Sequence, residues 1–180
     1  MSKMRIAKLK YITALVCSCY LFLPVTSLAD QRLGLGQALD LKTLSGWDID
    51  ISSSGQGLPL GSGNSTQGEQ IYSKKCQACH GENGTGGIAN KLTGGAGSLT
   101  TSSPQKSIGS FWPYATTLFD YIRRAMPLNA PQSLSNDEVY ALTAYLLSIN
   151  SVIDKNMALD ASSLAKIKMP NANGFIPVVD

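Results

Sequence analysis

The chain has 180 residues, 43% of them apolar and 15% charged, with 15 basic and 12 acidic side chains, a net charge of +3 and one histidine, His80. Four of the basic residues, Lys3, Arg5, Lys8 and Lys10, precede residue 30. From there on, 11 basic side chains face 12 acidic ones, a net of −1, which leaves no basic stripe suited to nucleic acid.

Those four cations are followed by the apolar run from Tyr11 to Leu23 and then by Ser27-Leu28-Ala29. A basic start, a short apolar core and small residues at a cleavage site read as a signal peptide over 1–29, cut after Ala29, which implies export to the periplasm. The apolar core is shorter than the ~20 residues of a spanning helix and is followed by Pro24, so no stable membrane insertion is expected after cleavage. Val16 occupies the position before Cys17 where a lipoprotein signal wants a small residue.

Residues 30–64 form an N-terminal arm. Eight glycines and prolines between Gly34 and Gly63 oppose regular structure. Asp40 to Ser45 is long enough for a turn or two of helix. Beyond it Trp47, Ile49 and Ile51 alternate with Asp48, Asp50 and Ser52, a pattern that suits an extended strand lying on an apolar surface.

Residues 65–150 form the domain. Thr66-x-x-Glu69 is a capping-box signature opening a helix, with Gly68 for close approach and Ile71 and Tyr72 one turn later. The helix leads into Cys76-Gln77-Ala78-Cys79-His80, and the glycine-rich run from Gly81 to Gly87 must then be a loop. A second helix is predicted from Ala115 to Ala125, with Leu118, Phe119 and Ile122 on one side, ending at Met126-Pro127. A third opens at the capping box Ser135 to Glu138, flanked by the staple pair Leu134 and Val139. Val139, Leu142, Leu146 and Ile149 recur along it at helical spacing, and it brings Ala141, Ala144 and Tyr145 toward Gly68 and Tyr72. Residues 151–180 read as a tail packed on this domain.

C-x-x-C-H is the attachment signature of a c-type haem, with two thioether links from Cys76 and Cys79 and one axial nitrogen from His80. Cys17 and Cys19 fall in the leader, so Cys76 and Cys79 are the only cysteines expected in the mature chain. The competing readings are weaker. Zinc needs four ligands and the motif supplies three. A redox dithiol needs a strand-and-helix domain around it, whereas the neighbourhood is glycine-rich and the downstream pattern helical; a lone disulfide, which two thiols in an exported chain could form, is the remaining alternative. With no second imidazole, the opposite axial position falls to a methionine. The candidates are Met126, Met157 and Met169. Met126 is preferred, because Pro127 ends the helix and holds it in a non-helical segment; a thioether there raises the potential into the electron-transfer range. Met169 also precedes a proline, but in a segment with little helical support. Arg123, Arg124 and Trp112 are the nearest candidates to donate hydrogen bonds to haem propionates.

A helix with Gly68 and Tyr72, then C-x-x-C-H, then Met-Pro, then a helix with Tyr145 resembles a class I c-type cytochrome. Trp47-Asp48-Ile49-Asp50, Gly57-Leu58-Pro59 and the string from Ile108 to Pro127 with its Trp112-Pro113-Tyr114 are similar to the cytochrome subunits of periplasmic sulfane and sulfite dehydrogenases. The resemblance implies an all-α, class I cytochrome c fold of three to five helices around one covalently bound haem c, with extended N- and C-terminal arms. It implies an electron-transfer protein rather than an enzyme. Its electron donor would be a molybdenum sulfite or sulfane dehydrogenase, and its acceptor another cytochrome or a terminal oxidase. Two departures stand out. There is one attachment motif where some relatives have two. Ile88-Ala89-Asn90-Lys91-Leu92 also lacks the proline whose carbonyl commonly accepts the ligand histidine's Nδ1 proton, which leaves a backbone carbonyl near Asn90 for that role. The alternatives are a haem enzyme or ligand sensor with a displaceable methionine, a carrier for a non-sulfur dehydrogenase, and a structural subunit whose arms bind a partner.

Overall fold

A computed structural model describes residue 36 and residues 38–176; the expected leader and its cleavage site lie outside the described residues. The chain divides into two compact units, Met1–Leu41 and Lys42–Asp180, and the second contains everything that bears on the motif. Its elements in order are α1 (Leu41–Ser45, begun in the first unit), β1 (Ser62–Asn64), α2 (Ser65–Lys75), α3 (Gln77–His80), α4 (Ala115–Ala125), α5 (Asn136–Ile149), β2 (Ala158–Asp160) and α6 (Ala161–Leu164), with single 3-10 turns at Glu82–Gly84 and Ser98–Thr100. Among the described residues, six helices and one short strand pair make a helix-rich fold, as the sequence implies.

The α2 cap differs from the expectation. Asn64 is the N-cap: its side chain accepts from the Gln67 N–H, and the Gln67 side chain accepts from the Asn64 N–H. This box lies two residues before Thr66 and Glu69, because an amide pair satisfies the same orphan donors as a hydroxyl and a carboxylate. On α5 the box is the expected one, Ser135 with Glu138.

Burial explains how these helices meet. Ser65, Gly68 and Tyr72 form the narrow buried stripe of α2, whereas α5 is buried on every side from Val139 to Leu147. A Cβ at Gly68 would collide with the Ala141 carbonyl and lie 2.7 Å from the Tyr145 Cβ, so only glycine permits this crossing. One turn further on, the rings of Tyr72 and Tyr145 stand 5.2 Å apart. Helix α4 adds Leu118, Phe119 and Ile122 to the core, and Phe119 meets Tyr140 at 4.4 Å between ring centroids.

The arm and the tail wrap this core. In the arm, Ile51 is buried and Ile49 half-buried, but Trp47 is 80% exposed and does not continue the apolar face that the alternation suggests. The arm is instead held to α4 by a polar stripe at i, i+4 and i+7. Thr116 Oγ1 donates to the Ser53 carbonyl at 3.0 Å, Asp120 Oδ1 accepts from the Ile51 N–H at 3.1 Å, and Arg123 donates to the Ile49 carbonyl at 3.0 Å. Strands β1 and β2 pair antiparallel, with Gly63 opposite Leu159. Leu159, Leu164 and Met169 of the tail are buried. Tyr114 bridges to Lys168, and Asn171 donates to the Phe111 carbonyl at 2.8 Å.

Candidate functional site

Cys76 ends α2 with its N–H on the Tyr72 carbonyl and at once begins α3. The N–H groups of Cys79 and His80 both return to the Cys76 carbonyl, at 3.1 and 3.0 Å. One helical turn therefore carries Cys76, Cys79 and His80 at i, i+3 and i+4, which places three side chains on one face. Cys76 is half-buried and Cys79 exposed. Burial pushes the Cys76 thiol up to about 11, against the opposing pull of the Lys75 ammonium.

His80 Nδ1 lies 2.9 Å from the Asn90 carbonyl oxygen. The carbonyl can only accept, so Nδ1 carries the proton and Nε2 presents its lone pair. This locates the histidine's partner in the loop that lacks the expected proline. The loop is built from backbone bonds: Ala89 N–H to the Cys79 carbonyl at 2.9 Å, Gly86 N–H to the His80 carbonyl at 2.8 Å, and Leu92 N–H to the Gly84 carbonyl at 2.8 Å. Gly81, Gly84 and Gly86 all have positive φ, which makes those tight returns possible. Two hydroxyls fasten the loop to the core, Tyr72 on the Gly81 carbonyl at 2.9 Å and Tyr145 on Asn83 Oδ1 at 3.1 Å. Both phenols are raised, Tyr72 to about 12, first by burial and then by nearby anionic forms.

Met126 is the C-cap of α4. Its N–H still reaches the Ile122 carbonyl, but its φ and ψ are extended, so the helix stops where Pro127 requires. Met126, Trp112, Leu92 and Cys76 are half-buried on the margin of one core. Met169, by contrast, is 4% exposed within that core, and Met157 lies at the surface. Trp112 stands edge-on to Tyr121 at 5.7 Å. The two arginines have partners outside the haem motif. Arg123 serves the arm through Ile49, and Arg124 pairs with Asp120, which raises the guanidinium further above its ordinary value. Sequence reasoning missed these polar ties, because a helix stripe of Thr, Asp and Arg reads as a solvated face until the arm is laid across it.

The donor chemistry fits a group attached through two sulfurs and one imidazole. The three motif side chains share a face, His80 is fixed in the tautomer that frees Nε2, and a thioether sits at the core margin that Cys76 and Trp112 also line. Among the described residues no group of three or more His, Cys, Asp and Glu side chains is arranged to hold a metal ion by itself.

A family model described as cytochrome c matches residues 65–150. No curated protein matches the chain. Among solved structures, a chain of the sulfane dehydrogenase SoxCD from Paracoccus pantotrophus is similar to it at 40% identity with a TM-score of 0.77, over 81% of this chain and 72% of that one.

Proposed function

The chain belongs to the cytochrome c family, and from that premise we propose that it is an exported, one-haem electron carrier reduced by a molybdenum sulfane or sulfite dehydrogenase. The observation that carries the carrier reading is the single turn bearing Cys76, Cys79 and His80, with Nδ1 committed to Asn90 and Nε2 free. Haem c, the covalent group the family implies, would be held by Cys76, Cys79, His80 and Met126, and when bound it would supply a one-electron couple. The Asn90 bond keeps the imidazole in one orientation and strengthens its donation. Trp112, with the N–H groups Arg123 has to spare, is the proposed donor set for the propionates, and Arg124 a lesser one because Asp120 already holds it. With His80 and Met126 both holding the group, the chain's own residues would serve electron transfer rather than bond making at a substrate.

The sulfur partner is supported by the 40% identity to a chain of SoxCD. In this reading residues 1–29 are removed on export, and 30–64, 65–150 and 151–180 act as arm, haem domain and packed tail. Ile88 and Leu128, 89% and 80% exposed, lie eight residues past His80 and two past Met126. Each is an exposed apolar side chain near a proposed ligand in the sequence, of the kind that small, transient redox encounters use. The electron then passes to another cytochrome or a terminal oxidase. The test mixes oxidised protein with a purified sulfite or sulfane dehydrogenase and its substrate in a stopped-flow instrument. Reduction on the timescale of turnover is expected, and its absence would refute the sulfur partner. Met126→Ala should abolish the long-wavelength sulfur-to-iron band of the ferric protein, and persistence of that band would move the ligand elsewhere.

A further inference from the structure

Asn150 follows α5 directly, and its half-buried side-chain amide makes three hydrogen bonds. Nδ2 donates to the Leu146 carbonyl at 2.8 Å and to the Leu92 carbonyl at 3.1 Å, while Oδ1 accepts from the Gly109 N–H at 3.2 Å. The first bond satisfies a carbonyl left over at the helix end. The other two serve different parts of the chain: the loop that holds Asn90, and the segment that leads through Trp112 into α4.

Leu92 lies two residues beyond Asn90, whose carbonyl receives the His80 proton. The loop from Gly81 to Leu92 packs Leu92 against the core, and its Gly81, Gly84 and Gly86 have positive φ. The position of the Asn90 carbonyl is therefore set by its two flanks. Ala89 is fixed on one side by the Cys79 carbonyl; on the other, Leu92 is fixed at its N–H by the Gly84 carbonyl and at its own carbonyl by Asn150 with the Ile108 N–H. Gly109 carries an independent mark of the same arrangement. Its φ is not positive, so any residue suits its backbone, yet an added Cβ would fall 2.7 Å from Asn150 Oδ1 and 2.9 Å from its Cβ. What requires glycine at 109 is the Asn150 side chain.

We propose that Asn150 is a positioning residue for His80: by pinning Leu92 it holds the Asn90 carbonyl on Nδ1 and so sets how strongly Nε2 donates to the iron. The inference rests on His80 being an axial ligand. Losing the Nδ1 bond weakens imidazole donation, favours the ferric state less, and raises the midpoint potential.

The experiment compares the full holoprotein with Asn150→Ala, Asn150→Asp and Gly109→Ala. It reads the midpoint potential by spectroelectrochemistry and solvent exchange of the His80 Nδ1 proton by NMR. The expected result is a higher potential in all three and exchange about two- to tenfold faster, the factor that corresponds to the net worth of one hydrogen bond. Asn150→Asp keeps an acceptor for Gly109 and loses both Nδ2 donations, to Leu146 and to Leu92, so the potential and the exchange rate, which the helix-end bond alone would not move, read the Leu92 bond. Gly109→Ala should have little further effect once Asn150 is alanine, since the two residues then no longer compete for space. If the variants melt at lower temperature while potential and exchange stay at wild-type values, Asn150 is only a helix cap and the proposal is overturned. Should Asn150→Ala fail to yield holoprotein, the other two variants decide the question alone. A wild type without histidine and methionine ligation would instead refute the ligand assignment itself.

Discussion

The two sides of the proposed haem site are held by different means. The His80 side is a loop knitted from its own backbone and fastened by the Tyr72 and Tyr145 hydroxyls. The Met126 side is a helix end whose position depends on the core beneath Leu118 and Phe119 and on an arm laid along its polar stripe. The difference teaches which side yields first. A covalent motif inside a self-bonded loop keeps its ligand through partial unfolding, whereas a methionine on a packed helix leaves when the packing does.

Asp120→Ala should show this most strongly. It strands the Ile51 N–H and releases Arg124, although that guanidinium, 48% exposed, can return to water. The expected loss is about 2 kcal/mol, measured by thermal denaturation. The ferric methionine band should fade well below the temperature at which the haem environment collapses. Simultaneous loss of both signals would break the comparison. On the other side, Thr93→Val removes a hydroxyl that donates to the Asn83 and Gly84 carbonyls, both at 3.1 Å. A smaller cost of about 1 kcal/mol is expected, with the methionine band intact at room temperature.

The smallest effect concerns acid. The Lys75 ammonium, 2.9 Å away, and the Ser135 N–H hold the Glu138 carboxyl below its ordinary value of 4.5. Because the folded value is depressed, the stabilisation is complete above about pH 4.5 and is lost as pH falls through the folded value. Lys75→Met removes the largest cause, so stability plotted against pH should have a shallower acid limb, read from urea midpoints in a pH series. An unchanged limb would assign the acid sensitivity to other carboxylates.

The two sides were also unequally legible. C-x-x-C-H is a local pattern, and the bounds of α4 from Ala115 to Ala125, the staple at Leu134 and Val139, and the meeting of Gly68 with Tyr145 all follow from helical periodicity. What escaped the sequence lies between distant segments or between equivalent chemistries. The α2 cap went to Thr66 and Glu69 because Asn64 and Gln67 satisfy the same geometry with amides. The alternation from Trp47 to Ser52 suggests a partly apolar hold on the domain, whereas the tie is to α4 and largely polar, and Trp47 is exposed. Asn150 looked like an ordinary residue after a helix, since nothing local announces that Leu92 and Gly109 will arrive beside it.

The pairing of β1 with β2 has a consequence for the order of events in folding. Gly63 and Leu159 are 96 positions apart, 159 less 63, so closing that contact from an open chain carries the loop entropy of the whole intervening domain. Three residue pairs return little against that cost. The strands can therefore join only after the core of α2, α4 and α5 has drawn their ends together, which makes arm and tail the last segments to settle.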